Sequence, residues 1–267
     1  MMGDGMRSLV HLLFSIAIGI FLSAAAANAQ ADTVAQIKER GALRVGMADS
    51  NPSQVKDPNS GEWEGYNVDM AKNLAERLGV KLEIVEASWS TLIPGLLASQ
   101  YDLVMCDLFA TAERDKIVDF SDPYMSLGFS WIVRADFSDD DPAALNNPAI
   151  KIANLSGGAM GDIIRKFAPN AQIKDVASEN VFSPHLEVAS GRADATLMDH
   201  FNNLQFIKQD VGDKVRILGG DVQFEQTPMA YAVRPGDAAL VGALNEWIAA
   251  NQKSGFSEEL RKKWYGF

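Results

Sequence analysis

Short apolar runs of strand character alternate with amphipathic helical stretches through most of this 267-residue chain, and that alternation limits the possible folds more than any other feature. It builds α/β units, with largely parallel sheets and helices on their faces. Residues 43–47 and 81–85 read as strands, with a helix predicted over 66–78 and closed by Gly79 between them. Ser90 is placed to cap a helix over 92–99, where Pro94 is tolerable only in the first turn. Residues 103–106 and 130–134 read as further strands, and 136–148 is an acidic, proline-containing loop. A second series follows: a strand at 151–153, a glycine-rich turn at 156–161, a helix at 162–167 and a strand at 195–198. The tail adds a strand at 231–234 and a helix at 238–253 ended by Gly255. The expected architecture is two α/β lobes, the second inserted into the first, with a cleft between them. Lobe 1 is expected at 30–135 and 225–267, and lobe 2 at 136–224.

The first stretch reads as an address rather than a structural element. Arg7 supplies a basic start, and an apolar run at 9–27 is interrupted only by His11, Ser15, Gly19 and Ser23. It ends in Ala27-Asn28-Ala29, a small-x-small cleavage pattern. The length alone would permit an anchoring helix, but the alanine-rich end and the polar residues 30–32 suit removal. A signal peptide at 1–29, a periplasmic destination and, with no cysteine directly after the run, no lipid anchor are expected.

Charge and chemistry narrow the function classes. With 24 basic against 35 acidic residues the net charge is -11, which argues against nucleic acid or anionic lipid as partners. The single cysteine, Cys106, excludes a disulfide scaffold; it sits in an apolar strand pattern where a buried, inert thiol is usual, a catalytic thiol being the sharper alternative. Beyond the signal segment the histidines are His185 and His200, both expected to be structural. No metal-ligand spacing, GxSxG, P-loop or GxGxxG fingerprint is present. No cofactor and no catalysis are therefore expected.

One segment stands out. In 101–114 a strand end, a loop and a helix start follow in succession, and ligands of open α/β sheets gather beyond the carboxyl ends of strands. Thr111 is placed to cap the helix, which puts the cation of Arg114 in a first turn where acids are preferred. Two readings stay open here: a bidentate grip on a ligand carboxylate, or a surface ion pair with Glu113 or Asp115.

This segment, followed by Val118-Asp119-Phe120-Ser121-Asp122-Pro123-Tyr124, resembles the signature of the family 3 bacterial extracellular solute-binding proteins, the polar amino-acid receptors of ABC transporters. Gly41-Ala42-Leu43-Arg44-Val45-Gly46, Gly65-Tyr66-Asn67-Val68-Asp69-Met70-Ala71, the stretch from Trp89 to Leu96, Gly191-Arg192-Ala193-Asp194-Ala195 to Asp199, and the tail to Lys263-Trp264 match as well. The resemblance implies the periplasmic-binding-protein fold, a monomer that closes on an amino acid or related amino compound, and an ABC permease as partner. It implies that Arg114, with Thr111, binds the ligand's α-carboxylate, that Asp199 from the second lobe receives the α-ammonium, and that Trp89 lines the pocket. Departures are visible too. Asp107 and Phe109 stand where the family has a small residue and a Ser or Thr. Gly158 and Ala159 replace a Thr pair in the second lobe's anion-binding turn, leaving Ser156 and backbone amides to serve. If Asp107 enters the cleft beside Asp199, a cationic or diamino ligand follows; if it pairs locally, it says nothing. The alternatives are an accessory periplasmic protein of a dehydrogenase system and an enzyme like the cyclohexadienyl dehydratases, with Asp107 as general acid.

Overall fold

The computed structural model describes residues 32–178, 180–220 and 223–266; the predicted signal peptide lies outside them. Helix α1 (Thr33–Arg40) leads into β1 (Ala42–Met47), the short hairpin β2 (Val55–Lys56) and β3 (Trp63–Glu64), helix α2 (Tyr66–Leu78), β4 (Lys81–Glu86), helix α3 (Leu92–Leu97), β5 (Leu103–Val104) and β6 (Asp119–Phe120). Then come β7 (Met125–Arg134), β8 (Lys151–Leu155), α4 (Met160–Phe167), β9 (Gln172–Val176), α5 (Ser183–Ala189), β10 (Ala195–Asp199), α6 (His200–Ile207), β11 (Val215–Ile217) and β12 (Phe224–Met229). The chain finishes with β13 (Ala232–Val233), α7 (Ala238–Ser254) and α8 (Phe256–Trp264). Among the described residues no helix is long and apolar enough to cross a membrane.

Each lobe is built on its own sheet. The first has strand order β4-β1-β5-β13-β6, with β1 parallel to β4 and β5 and β13 antiparallel to β5 and β6. Five of the six residues of β1 are buried, only Arg44 being partly exposed, as a strand covered on both faces requires. Helix α2 buries Val68, Met70, Ala71 and Leu74, and its end is set by Gly79 in the left-handed region (φ 70°). There the Val80 N–H reaches back to the Ala75 carbonyl, a closure that glycine makes without steric penalty. The second sheet runs β11-β7-β10-β8-β9, with β12 also paired to β7; β8 is parallel to β9 and β10, and β7 antiparallel to β10, β11 and β12.

The strands differ from the expected lobe limits at both crossings. Residues 125–134 were expected in lobe 1, yet β7 hydrogen-bonds along its length to second-sheet strands; 225–229 likewise fall in β12 on that sheet. The reason is local: Ser126 and Gly128 interrupt the apolar pattern at the start of β7, hiding its first half. The chain therefore leaves the first sheet after β6 and returns to it at β13. Two helix starts differ as well. Ser90 caps nothing: its hydroxyl pairs with that of Ser88, and Thr91 occupies the N-cap position of α3. The helix expected at Thr111 is instead a single 3-10 turn, Arg114–Lys116.

Candidate functional site

Six loops that follow parallel strands converge where the carboxyl edges of the two sheets face each other, the place where open α/β sheets bind ligands. Ser50 comes from beyond β1, Trp89 from beyond β4, and Asp107, Phe109 and Arg114 from beyond β5. From the other lobe, Leu155 ends β8, Gly158 and Met160 lead into α4, Val181 precedes α5, and Asp199 and Asn202 stand at the β10–α6 junction. Together they line a cavity of about 40 Å3, and the hydrogen bond from Arg114 to the Gly157 carbonyl of the other lobe holds the lobes closed on each other. Most of its wall is apolar side chain, which makes each charged group in it consequential.

Arg114 is 7% exposed. Its guanidinium donates from Nη1 to the Phe109 carbonyl at 2.9 Å and from Nη2 to the Gly157 carbonyl at 2.8 Å, so one side chain spans both lobes. Thr111 Oγ1 accepts the Arg114 backbone N–H at 3.3 Å, which pins the turn from behind; Thr111 is not among the residues lining the cavity. The surface ion pair is ruled out: Glu113 pairs with Lys116, and Arg114 makes no salt bridge among the described residues. Burial pushes the guanidinium down to about 10, because a cation stripped of water is disfavoured unless an anion compensates.

Asp199 is 3% exposed and faces the same cavity from the second lobe. It caps α6, accepting the Asn202 backbone N–H at 2.9 Å and the Asn202 Nδ2 at 2.7 Å. No cation lies within ion-pair distance of it among the described residues, in contrast to buried Asp102, which is held by Arg40 and Arg44. Burial raises the Asp199 carboxyl above its ordinary range, against the two bonds from Asn202. Asn202 itself is 6% exposed, and its Oδ1 has no hydrogen-bond partner among the described residues. Because its Nδ2 donates to a carboxylate, the amide orientation is fixed and the bare atom is an acceptor.

Asp107 is half-buried and does enter the cleft. Ser50 Oγ donates to Oδ2 at 3.1 Å and Asn67 Nδ2 to Oδ1 at 3.1 Å; the hydroxyls of Tyr124 and Tyr265 lie 3.4 Å from Oδ1. Its pKa is nevertheless pushed up to about 6, first by burial and further by the neighbouring charge of Asp199. Trp89 lines the cavity with Nε1 donating to the Asp49 carbonyl at 3.3 Å. Phe109 stacks edge-on against Phe129 of β7, with centroids 5.0 Å apart.

Of the expected site residues, Arg114, Asp199, Trp89, Asp107, Phe109 and Gly158 meet at one cavity. Ser156 does not; it lies in a polar hollow on the far side of the turn, and its N–H donates to the Val176 carbonyl. The Gly158 N–H is likewise spent on the Leu155 carbonyl. Ser50 and Asn202 are site residues that the sequence reading passed over. Asn202 had a signal, three residues into a helix capped by Asp199; Ser50 had none. His185 and His200 belong to a buried network with Asn203 and Ser130, and burial holds His185 down at about 4. Cys106 is buried, and burial pushes its thiol well up, the reverse of a reactive thiolate. Among the described residues no group of His, Cys, Asp or Glu gathers to hold a metal ion.

Known proteins resemble the chain across this whole framework. The model of the bacterial extracellular solute-binding proteins, family 3, matches residues 43–267. The glutamine-binding protein GlnH of a Bacillus subtilis (strain 168) ABC transporter is 29% identical over 244 residues, 90% of this chain and 87% of its own length. The structure of AncCDT-1, an ancestral amino acid-binding protein and precursor of cyclohexadienyl dehydratase, superposes with a TM-score of 0.78 at 36% identity, covering 88% of this chain and 100% of its own. An ABC transporter binding component of Wolinella succinogenes DSM 1740, complexed with lysine, gives a TM-score of 0.75 at 29% identity over 85% and 96% of the two chains.

Proposed function

Because this chain belongs to the bacterial extracellular solute-binding proteins, family 3, we propose that it captures an amino acid or closely related amino compound by closing its lobes and delivers it to the permease of an ABC importer. The observation that carries this is the pair of buried, uncompensated charges on one cavity: the Arg114 guanidinium from the first lobe and the Asp199 carboxylate from the second. Each charge is unfavourable where it stands, and a zwitterion relieves both, its carboxylate facing Arg114 and its ammonium facing Asp199. Since the charges come from different lobes, the ligand binds the closed form better than the open one, which is what allows it to drive closure. The protein works as a monomer in the periplasm after removal of residues 1–29. The glutamine and lysine bound by relatives are in keeping with an α-amino acid as cargo.

Isothermal titration calorimetry with a panel of L-amino acids tests the clamp. Arg114→Ala removes one partner of a buried charge pair and lowers affinity by about 2 to 5 kcal/mol; wild-type affinity in that variant would overturn the role. A second reading, favoured by one observation, is an elimination enzyme on the same scaffold. A cleft carboxyl with a pKa of about 6, that of Asp107, suits a general acid. Incubation with prephenate or arogenate separates the two, turnover favouring the enzyme and stoichiometric binding the receptor.

A further inference from the structure

The pocket holds more acceptor capacity than a simple zwitterion can use. Among the described residues Arg114 is the one cation lining the cavity, whereas the carboxylates of Asp107 and Asp199 both line it. Between them they leave the wall one negative charge in excess when both are ionised. Asn202 adds a buried Oδ1 acceptor with no donor. An α-ammonium has only three N–H donors, and it cannot neutralise two separate carboxylates. Asp107 is also no loose surface acid. Donors from Ser50, Asn67 and the two tyrosines hold its carboxylate in place, and Tyr265 is itself tied to Ser53 at 2.7 Å and packed against Phe201 of the other lobe at 5.1 Å. A carboxylate fixed in this way, next to a second one, repels an acidic side chain and leaves a neutral one with an unmet charge behind it.

We propose that Asp107 is the specificity-determining residue of the pocket, and that, with the bare Oδ1 of Asn202, it selects a ligand carrying a second cationic nitrogen, a diamino carboxylic acid. This rests on the Arg114–Asp199 clamp and names the class of compound the clamp receives. A ligand of net charge +1 brings a pocket of net charge -1 to neutrality, and its additional N–H donors can meet the bare Oδ1 of Asn202. The lysine in the Wolinella succinogenes structure is a ligand of this class.

Calorimetry with L-lysine and L-ornithine against L-norleucine and L-norvaline, which lack only the distal nitrogen, tests the proposal. The wild-type protein is expected to favour the diamino acids by at least about tenfold, and Asp107→Asn to bring that ratio toward one. Norleucine binding as tightly as lysine, or an unchanged ratio in Asp107→Asn, would overturn the selection by Asp107 while leaving the clamp intact. Cadaverine, which is lysine without its carboxylate, covers the other arm: if it binds as tightly as lysine, the Arg114 clamp fails and Asp107 stands. No binding by any of these compounds overturns both. Should Asp107→Asn not fold, the wild-type lysine-to-norleucine ratio between about pH 7 and about pH 5 carries the test, since the ligands' amines stay protonated there. The titratable groups around Asp107 are Asp199, Cys106, Tyr66, Tyr124, Tyr231 and Tyr265, with Arg114 on the same cavity. Burial holds the tyrosines and the thiol far above this window, and Asp199 faces the α-ammonium that both ligands share, so its titration cancels in the ratio. Asp107, poised at about 6, loses its charge as the pH falls through that value, so the ratio shrinks toward low pH; a constant ratio would refute the proposal.

Discussion

Asp199 does two jobs with one carboxylate, and the two can be separated. It caps α6 through the Asn202 backbone, and it presents negative charge to the cavity. Asparagine is as good an N-cap as aspartate, so Asp199→Asn keeps the helix start and removes the charge. The expected outcome is a thermal midpoint close to wild type, with affinity for amino acids lowered by at least about tenfold; calorimetry and a melting curve on the same preparation check it. A large drop in stability with unchanged affinity would make the residue purely structural. Arg114 and Asp199 were legible in the sequence because a motif of fixed spacing carries them. Asp107 was legible only as a departure from that motif: whether it points at the ligand or into its own lobe depends on Ser50, Asn67 and Tyr265, which lie 57, 40 and 158 residues away. Such partners leave no periodic trace in a chain.

Among the elements, the turn between β8 and α4 governs how closely the lobes approach. Gly157 sits at φ 80°, and a Cβ there would come within 2.5 Å of the Trp89 carbonyl oxygen and the Ser90 Cα. Both contacts are backbone atoms of the opposite lobe, which cannot step aside as a flexible side chain can. The same glycine's carbonyl receives Arg114 Nη2, so this turn carries the bond that ties the lobes together. Gly157→Ala is therefore expected to hold the lobes apart. Small-angle X-ray scattering with saturating lysine should show a larger radius of gyration than for wild type, and affinity should fall by the fraction of closed molecules lost. Equal radii would mean that closure tolerates the methyl. The glycine-rich stretch at 156–161 was visible in the sequence as a turn. Its contact with Trp89 and Ser90 was not, because nothing local marks a glycine needed for a neighbour about seventy positions earlier.

For the whole molecule, the proposed function is a coupling between closure and charge. The inner cavity is small and its wall mostly apolar, so a closed protein without a cation and anion in place keeps buried charges uncompensated. Ligand at about one hundred times its dissociation constant should stabilise the folded state by about 2.7 kcal/mol, read as a rise in the denaturant midpoint. Arg114→Ala should lose most of that rise, and an equal rise in both proteins would uncouple the clamp from closure. The sequence by itself determined the α/β character and the alternation of most strands and helices, and its motifs pointed to the two charged groups of the proposed clamp, since periodicity and short motifs are local properties. Tertiary structure alone decided that β7 and β12 belong to the second sheet, that Asp107 faces the cleft, and that Ser50 and Asn202 complete it. The physical reason is that sheet partnership and pocket lining are settled by pairings between distant strands and by burial, and these exist only once the two lobes have folded against each other.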